Sequence, residues 1–152
     1  MVVPPIIDFE FFADELPQAV DALRTLSQVA SPDLDKRLIE LIKVRASQIN
    51  GCAYCLQLHL NWARMAGVPQ RSLDRVAVWR EAADFTELER AALTWTEALT
   101  DPARHVEWRA ARQTLTAFFT PPQILRLTVA VAAVNAWNRI AGPLHFTPPE
   151  AE

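Results

Sequence analysis

The 152-residue chain holds two cysteines, Cys52 and Cys55, three positions apart, with His59 four residues after the second and Glu40 twelve before the first. Two cysteines placed at random would fall at this spacing roughly once in eighty trials, so the pair needs a chemical reason. Three chemistries are open to it: a dithiol/disulfide couple, a zinc site with Cys52, Cys55 and His59 as three ligands, or burial of two small apolar side chains. The zinc reading has no second cysteine pair to complete it, and a thioredoxin-type reading lacks the strand that should precede its CxxC. In a reducing compartment two thiols do not persist as a structural staple, which leaves redox catalysis in front.

Gly51, directly before the pair, suggests that both cysteines occupy the first turn of a helix, where unpaired N–H groups and a partial positive charge favour a thiolate. In regular helix their Cβ atoms would lie about 5 to 6 Å apart, wider than the ~3.8 Å mean of a relaxed disulfide, so a bond would form with strain. Cys55 and His59, at i and i+4, share a helix face. Ionisation alone gains little. Moving a thiol pKa from about 8.5 to about 6.5 raises the thiolate fraction near neutrality about 25-fold, while a Brønsted slope of about 0.45 lowers nucleophilicity roughly eightfold. A group that protonates the departing atom contributes about 10²- to 10⁴-fold, and His59, oriented and recharged by Glu40, is the candidate.

The elements that must position these residues read as helices nearly throughout, with no period-two alternation, so the fold class is all-α with six to seven helices in a single domain over residues 1–152. Residues 1–14, with Pro4 and Pro5, read as an extended arm, and a first helix follows over about Glu15 to Val29 with Leu16, Val20, Leu23 and Leu26 on one face. Ser31 as cap and Pro32 at the first helical position open a second helix that carries Glu40 and stops near Asn50-Gly51. A third starts at the cysteines and ends at Gly67-Val68-Pro69, and a short fourth covers about Arg71 to Glu81. Thr86 and Glu89 form a capping box for a fifth through Ala98; a sixth covers about His105 to Phe118. Thr120-Pro121-Pro122 leads into a long apolar helix, Ile124 to Ala141, closed by Gly142-Pro143.

Composition narrows the function classes. A formal net charge of −3 gives no electrostatic reason to expect nucleic acid or an anionic membrane as partner. The N-terminus lacks a basic n-region, which points to the cytoplasm, and the apolar run between Arg126 and Arg139 is too short to span a bilayer and reads as a buried helix or subunit interface. The five tryptophans, Trp62, Trp79, Trp95, Trp108 and Trp137, read as core or interface anchors. His105 and His145 read as surface or packing residues, and Asn135 and Arg139 as stabilising the end of a buried helix.

The pattern Glu40-x11-Cys52-x-x-Cys55-x-x-x-His59 resembles the active site of AhpD-like alkylhydroperoxidases within the carboxymuconolactone decarboxylase superfamily. The similarity extends to the Glu87 to Thr100 helix and the Asn135-Ala-Trp-Asn-Arg139 segment, most of the chain from about Asp33 onward. The resemblance implies Cys55 as the peroxide-attacking thiol, Cys52 as the resolving thiol, and Glu40 with His59 as a proton relay. It implies no cofactor or metal, a small-molecule peroxide as substrate, a separate dithiol as electron donor, and a homo-oligomer, trimer or hexamer. The best-known AhpD enzymes have histidine immediately before the second cysteine, where this chain has Tyr54. A phenol with a pKa of about 10 is a poor base near neutrality, so Tyr54 reads as a hydrogen-bond donor to a peroxide oxygen. The alternatives are a general thiol-disulfide oxidoreductase, a lactone decarboxylase of the same superfamily, whose chemistry does not require a CxxC, and a non-enzymatic assembly protein.

Overall fold

A computed structural model of the chain describes residues 1–101, 103 and 108–152. Among them are eight α-helices and one 3₁₀ turn, with no strand: α1 (Phe9–Glu15), α2 (Pro17–Ala30), α3 (Lys36–Asn50), α4 (Ala53–Met65), α5 (Gln70–Arg75), the 3₁₀ turn Val76–Val78, α6 (Glu87–Thr100), α7 (Trp108–Thr116) and α8 (Pro121–Leu144). The all-α expectation holds, with more helices than expected. The extra one is α1, which forms inside the stretch expected to be extended. Asp8 caps it by accepting the Phe9 N–H at 2.8 Å. The ring of Pro17 disfavours helical backbone at the residue before it, and Leu16 accordingly takes φ −130°, ψ 57°, separating α1 from α2. On α2, Val20 and Ala30 are buried, whereas Leu26 stays exposed, as does Leu16 at its N-cap.

Several boundaries differ from the sequence reading; the fourth expected helix, about Arg71 to Glu81, is α5 ending at Arg75 and followed by the 3₁₀ turn. The second expected helix does not start at Pro32: Asp33 adopts a left-handed conformation, φ 64°, and Asp35 caps α3 by accepting the Arg37 N–H at 2.8 Å. Ser31 closes α2 instead, its hydroxyl donating to the Ser27 carbonyl at 2.9 Å. Gly142-Pro143 does not close the last helix, which runs on to Leu144. Proline removes one helical N–H but leaves its fixed φ compatible with helix. The stop comes at left-handed His145, after which the Phe146 N–H returns to the Ala141 carbonyl at 3.1 Å. The expected sixth helix is described only from Trp108; His105 lies outside the described residues.

Helix α3 is the centre of the fold, packed against α4, α6 and α8, while α2 lies on α8 and α7 on α6. Its Leu38, Ile39 and Ile42 join one core with α6, α7 and α8. Leu41 and Val44 join a second with Ala63, Val76, Trp79 and Leu93. A third cluster gathers Phe12 of α1, Val20 of α2, both cysteines, Ala141 and Phe146. Because α3 is enclosed on most sides, its polar side chains Lys43, Arg45 and Ser47 are buried and must find partners. Among the described residues, no helix is long and apolar enough to cross a membrane.

Candidate active site

The chain leaves α3 through Gly51, whose φ of 66° favours glycine, and turns directly into α4. Cys52 is the N-cap of α4, with extended backbone (φ −87°, ψ 99°), and its Sγ accepts the Cys55 N–H at 3.2 Å. The two cysteines are joined as a disulfide with a Cα–Cα distance of 5.4 Å. The expectation that both occupy the regular first turn is therefore corrected for Cys52, which sits one residue outside it. The cap backbone lets its side chain swing over the helix end, within the usual 4.4–6.8 Å Cα range of disulfides.

Both cysteines are buried, yet differently. Cys52 is covered by Phe12, Phe146 and the Gly142 segment of α8. Cys55 forms part of the wall of a 520 Å³ cavity, together with His59, Tyr54 and Lys43.

The expected partners of the thiols also meet. The His59 ring places Nδ1 2.8 Å from Glu40 Oε2, across the α3/α4 interface. An ionised carboxylate only accepts hydrogen bonds, so Nδ1 carries the proton in this contact and Nε2 is left as the basic nitrogen. Glu40 Oε1 lies 3.7 Å from Lys43 Nζ, placing the carboxylate between an ammonium and an imidazole. Burial pushes the His59 pKa below its ordinary value, and Lys43 acts in the same direction; the hydrogen bond and charge of Glu40 oppose the shift without cancelling it. His59 is thus a neutral base at pH 7 that has a carboxylate ready to stabilise its protonated form.

Tyr54 also faces the cavity. Its ring stacks on Phe9 at 6.2 Å and meets Phe146 edge-on at 5.6 Å. Burial raises its pKa, the Glu10 and Asp8 carboxylates add to that, and Arg24 opposes. Its hydroxyl therefore stays protonated near neutrality and is a donor, not a base. With Phe9, Trp62 and Trp137 it gives the cavity an aromatic wall.

Asn135 serves the scaffold: it accepts from Asn50 Nδ2 at 2.9 Å and donates to Thr100 Oγ1 at 3.0 Å, tying α8 to α3 and α6. Arg139 is exposed. Trp79 and Trp95 are buried, whereas Trp62 and Trp108 are exposed at 44% and 55%.

Two charged features escaped the sequence reading. Lys43 and Arg24 line the cavity along with the aromatic residues. For Lys43 a signal existed, since it lies three residues after Glu40 on the same helical face. The other feature is Glu97, 1% exposed, which accepts from Arg45 Nε at 2.7 Å, Trp79 Nε1 at 3.0 Å and an Arg80 guanidinium nitrogen at 2.6 Å. Burial pushes its pKa up, but the three donors together hold it below the ordinary carboxylate value. This cluster lies beneath the 3₁₀ turn and contributes nothing to the cavity wall. Among the described residues, no group of three His, Cys, Asp or Glu side chains is placed to hold a metal ion.

An all-helical scaffold that presents a helix-capping cysteine pair beside a His–Glu pair, next to an aromatic cavity, defines an AhpD-like protein. The chain belongs to the carboxymuconolactone decarboxylase family, whose sequence profile matches residues 14–98. It is 32% identical over 106 residues to the uncharacterized protein YdfG of Bacillus subtilis (strain 168), covering 67% of this chain and 69% of that one. Alkyl hydroperoxide reductase AhpD of Coxiella burnetii is 34% identical over 59 residues, 39% of this chain and 33% of that protein's length. A protein of unknown function from Agrobacterium tumefaciens, assigned provisionally to AhpD-type antioxidant defence, has the same fold with a TM-score of 0.89 and 38% identity over 97% of this chain and 99% of that one.

Proposed function

We propose that the protein is a thiol-dependent peroxidase that reduces alkyl or hydrogen peroxides through a Cys52–Cys55 dithiol/disulfide cycle. The observation that carries this reading is that Cys55 opens onto the same cavity as His59, whose Nδ1 is held 2.8 Å from Glu40. His59 Nε2 takes the Cys55 thiol proton, and Glu40 stabilises the imidazolium. The Cys55 thiolate then attacks one peroxide oxygen: an S–O bond forms, the O–O bond breaks, sulfur is oxidised to a sulfenic acid, and the imidazolium returns its proton to the departing oxygen as alcohol or water. Cys52 displaces hydroxide from the sulfenic acid, which leaves as water with the Cys52 proton, and the disulfide closes. A separate dithiol donates two electrons and two protons to reopen it. Tyr54, a protonated donor on the cavity wall, would polarise a peroxide oxygen. The same proposal has the chain acting in the cytoplasm as a homo-oligomer.

The test is stopped-flow thiol oxidation by substoichiometric cumene hydroperoxide in the reduced parent, Cys55→Ser, Cys52→Ser and His59→Ala. Cys55→Ser should abolish turnover, Cys52→Ser should accumulate a sulfenic acid that a dimedone-type reagent traps, and His59→Ala should react slowly with both thiols intact. Consumption of peroxide by Cys55→Ser at the parental rate would end the proposal.

A further inference from the structure

The cavity is lined by two unlike sets of side chains, the aromatic Phe9, Tyr54, Trp62 and Trp137 and the cationic Arg24 and Lys43. The two cations are not equivalent. Lys43 is satisfied by Glu40 at 3.7 Å. Arg24 has no carboxylate within ion-pair distance among the described residues; its guanidinium instead rests over the Phe9 ring at 5.8 Å. Asp8, the carboxylate preceding the cavity-lining Phe9 in sequence, is engaged by the Thr147 hydroxyl at 2.7 Å and by the Phe9 N–H at 2.8 Å. The Glu10 carboxylate is exposed on α1 and forms no ion pair among the described residues. The hydroxyls of Ser27 and Ser31, which also line the cavity, are already committed as donors to backbone carbonyls. What remains is a planar, permanently charged fork of N–H donors beside an aromatic surface, which a planar carboxylate on an organic skeleton matches bidentately.

At 520 Å³ the cavity is also far larger than hydrogen peroxide requires, and lies within the roughly 300–1,000 Å³ range of sites for organic ligands. We propose that the cavity takes an organic hydroperoxide that ends in a carboxylate, its carbon skeleton against the aromatic wall and its carboxylate on Arg24, with Lys43 adding positive potential. This rests on the peroxidase reading only for the chemistry; the anion site itself is independent of it.

The experiment therefore has two arms. In the first, the reduced full chain with dithiothreitol as donor is given 4-carboxycumene hydroperoxide and its methyl ester, in the parent, Arg24→Gln and Arg24→Lys. The parent should favour the acid by about five- to tenfold in kcat/KM, carried by KM and shrinking with added salt. Arg24→Gln should bring the acid-to-ester ratio to near one, and Arg24→Lys should restore part of it. A merely structural role for Arg24 would lower both substrates alike and leave the ratio in place, which overturns the proposal.

In the second arm, 4-isopropylbenzoate and 4-isopropylbenzyl alcohol are titrated against the fluorescence of the cavity tryptophans in the same variants. If the parent turns over no peroxide yet binds the benzoate more tightly through Arg24, the peroxidase reading falls and the anion site stands. Equal binding of acid and alcohol by the parent refutes the anion site whatever the turnover.

Discussion

Glu40→Gln probes the relay with the least disturbance, because the amide oxygen can still accept the His59 Nδ1–H while the negative charge is lost. The charge removed belongs to a 2.8 Å hydrogen bond between side chains only 8% and 13% exposed, so water does little to screen it. Charge-assisted hydrogen bonds contribute about 1.5–3 kcal/mol against about 0.5–1.5 kcal/mol for neutral ones, and if the imidazolium forms before the O–O bond breaks, losing the difference of about 1–1.5 kcal/mol slows peroxide reduction roughly 5- to 13-fold. Lys43 pushes toward the upper end, since its ammonium loses Glu40 as partner and then opposes a second positive charge on His59. The rate is read by stopped-flow fluorescence of the reduced protein mixed with cumene hydroperoxide over pH 5 to 9, with circular dichroism to show that the helices are intact. The parent needs neutral His59, so its acid limb should lie below the ordinary histidine pKa of about 6.5, and Glu40→Gln should move that limb further down. A parental rate throughout that range, from a folded variant, would refute the relay.

Stability should also record the burial of His59. Its folded pKa is lowered, so the unfolded chain binds the proton more readily and stability is lost as pH falls below about 6.5 toward the folded value; melting of the parent and His59→Asn at pH 7.5 and 5.5 should show the larger loss in the parent. Glu97→Ala removes the partner of buried Arg45 and should cost about 3–5 kcal/mol in urea unfolding, with the peroxide rate constant of the folded fraction unchanged. Gly142→Ala should stabilise by up to about 0.5–1 kcal/mol, because the added Cβ meets Cys52 Cβ at 3.5 Å, an ordinary contact, in a helical segment; a lowered midpoint would show that α8 and Cys52 are packed too tightly to admit it.

The parts of the fold that local chemistry dictates were legible. Thr86 and Glu89 form the reciprocal cap that their spacing announces, with the Thr86 N–H to Glu89 Oε2 at 2.8 Å, and Gly51 takes the left-handed turn that ends α3. The sequence reading failed where tertiary contacts outvote a local signal. Ser31-Pro32 looks like a helix start, yet Ser31 closes α2, and Gly142-Pro143 looks like a stop, yet α8 continues through it. In the site, Cys52, Cys55, His59 and Glu40 share a recognisable spacing, whereas Arg24 joins them only because α2 packs on α8 and places that face over the cavity. Glu97 shows the reverse limit. In an amphipathic helix a glutamate ordinarily faces water, and only the approach of Arg45, Trp79 and Arg80 makes a buried one tolerable.

The structure separates two properties that the sequence assigns to both cysteines together, access and stabilisation of charge. Cys55 has the access, because it alone of the two lines the cavity. Cys52 has the helix end: as N-cap its Sγ accepts the Cys55 N–H at 3.2 Å, and a thiolate there would receive both that donor and the positive end of the α4 dipole. In the proposed cycle this division gives each half-reaction a direction. A peroxide in the cavity reaches Cys55, whose proton must be handled by His59 because the helix cap serves the other sulfur. On reduction, a dithiol donor that enters the same way attacks Cys55 Sγ, and the sulfur that departs is Cys52. Leaving groups of lower pKa depart faster in thiol exchange, so the cap that leaves Cys52 out of the first encounter makes it the better leaving group in the last. The helix-capping position of Cys52, not its burial, therefore assists the return half of the cycle.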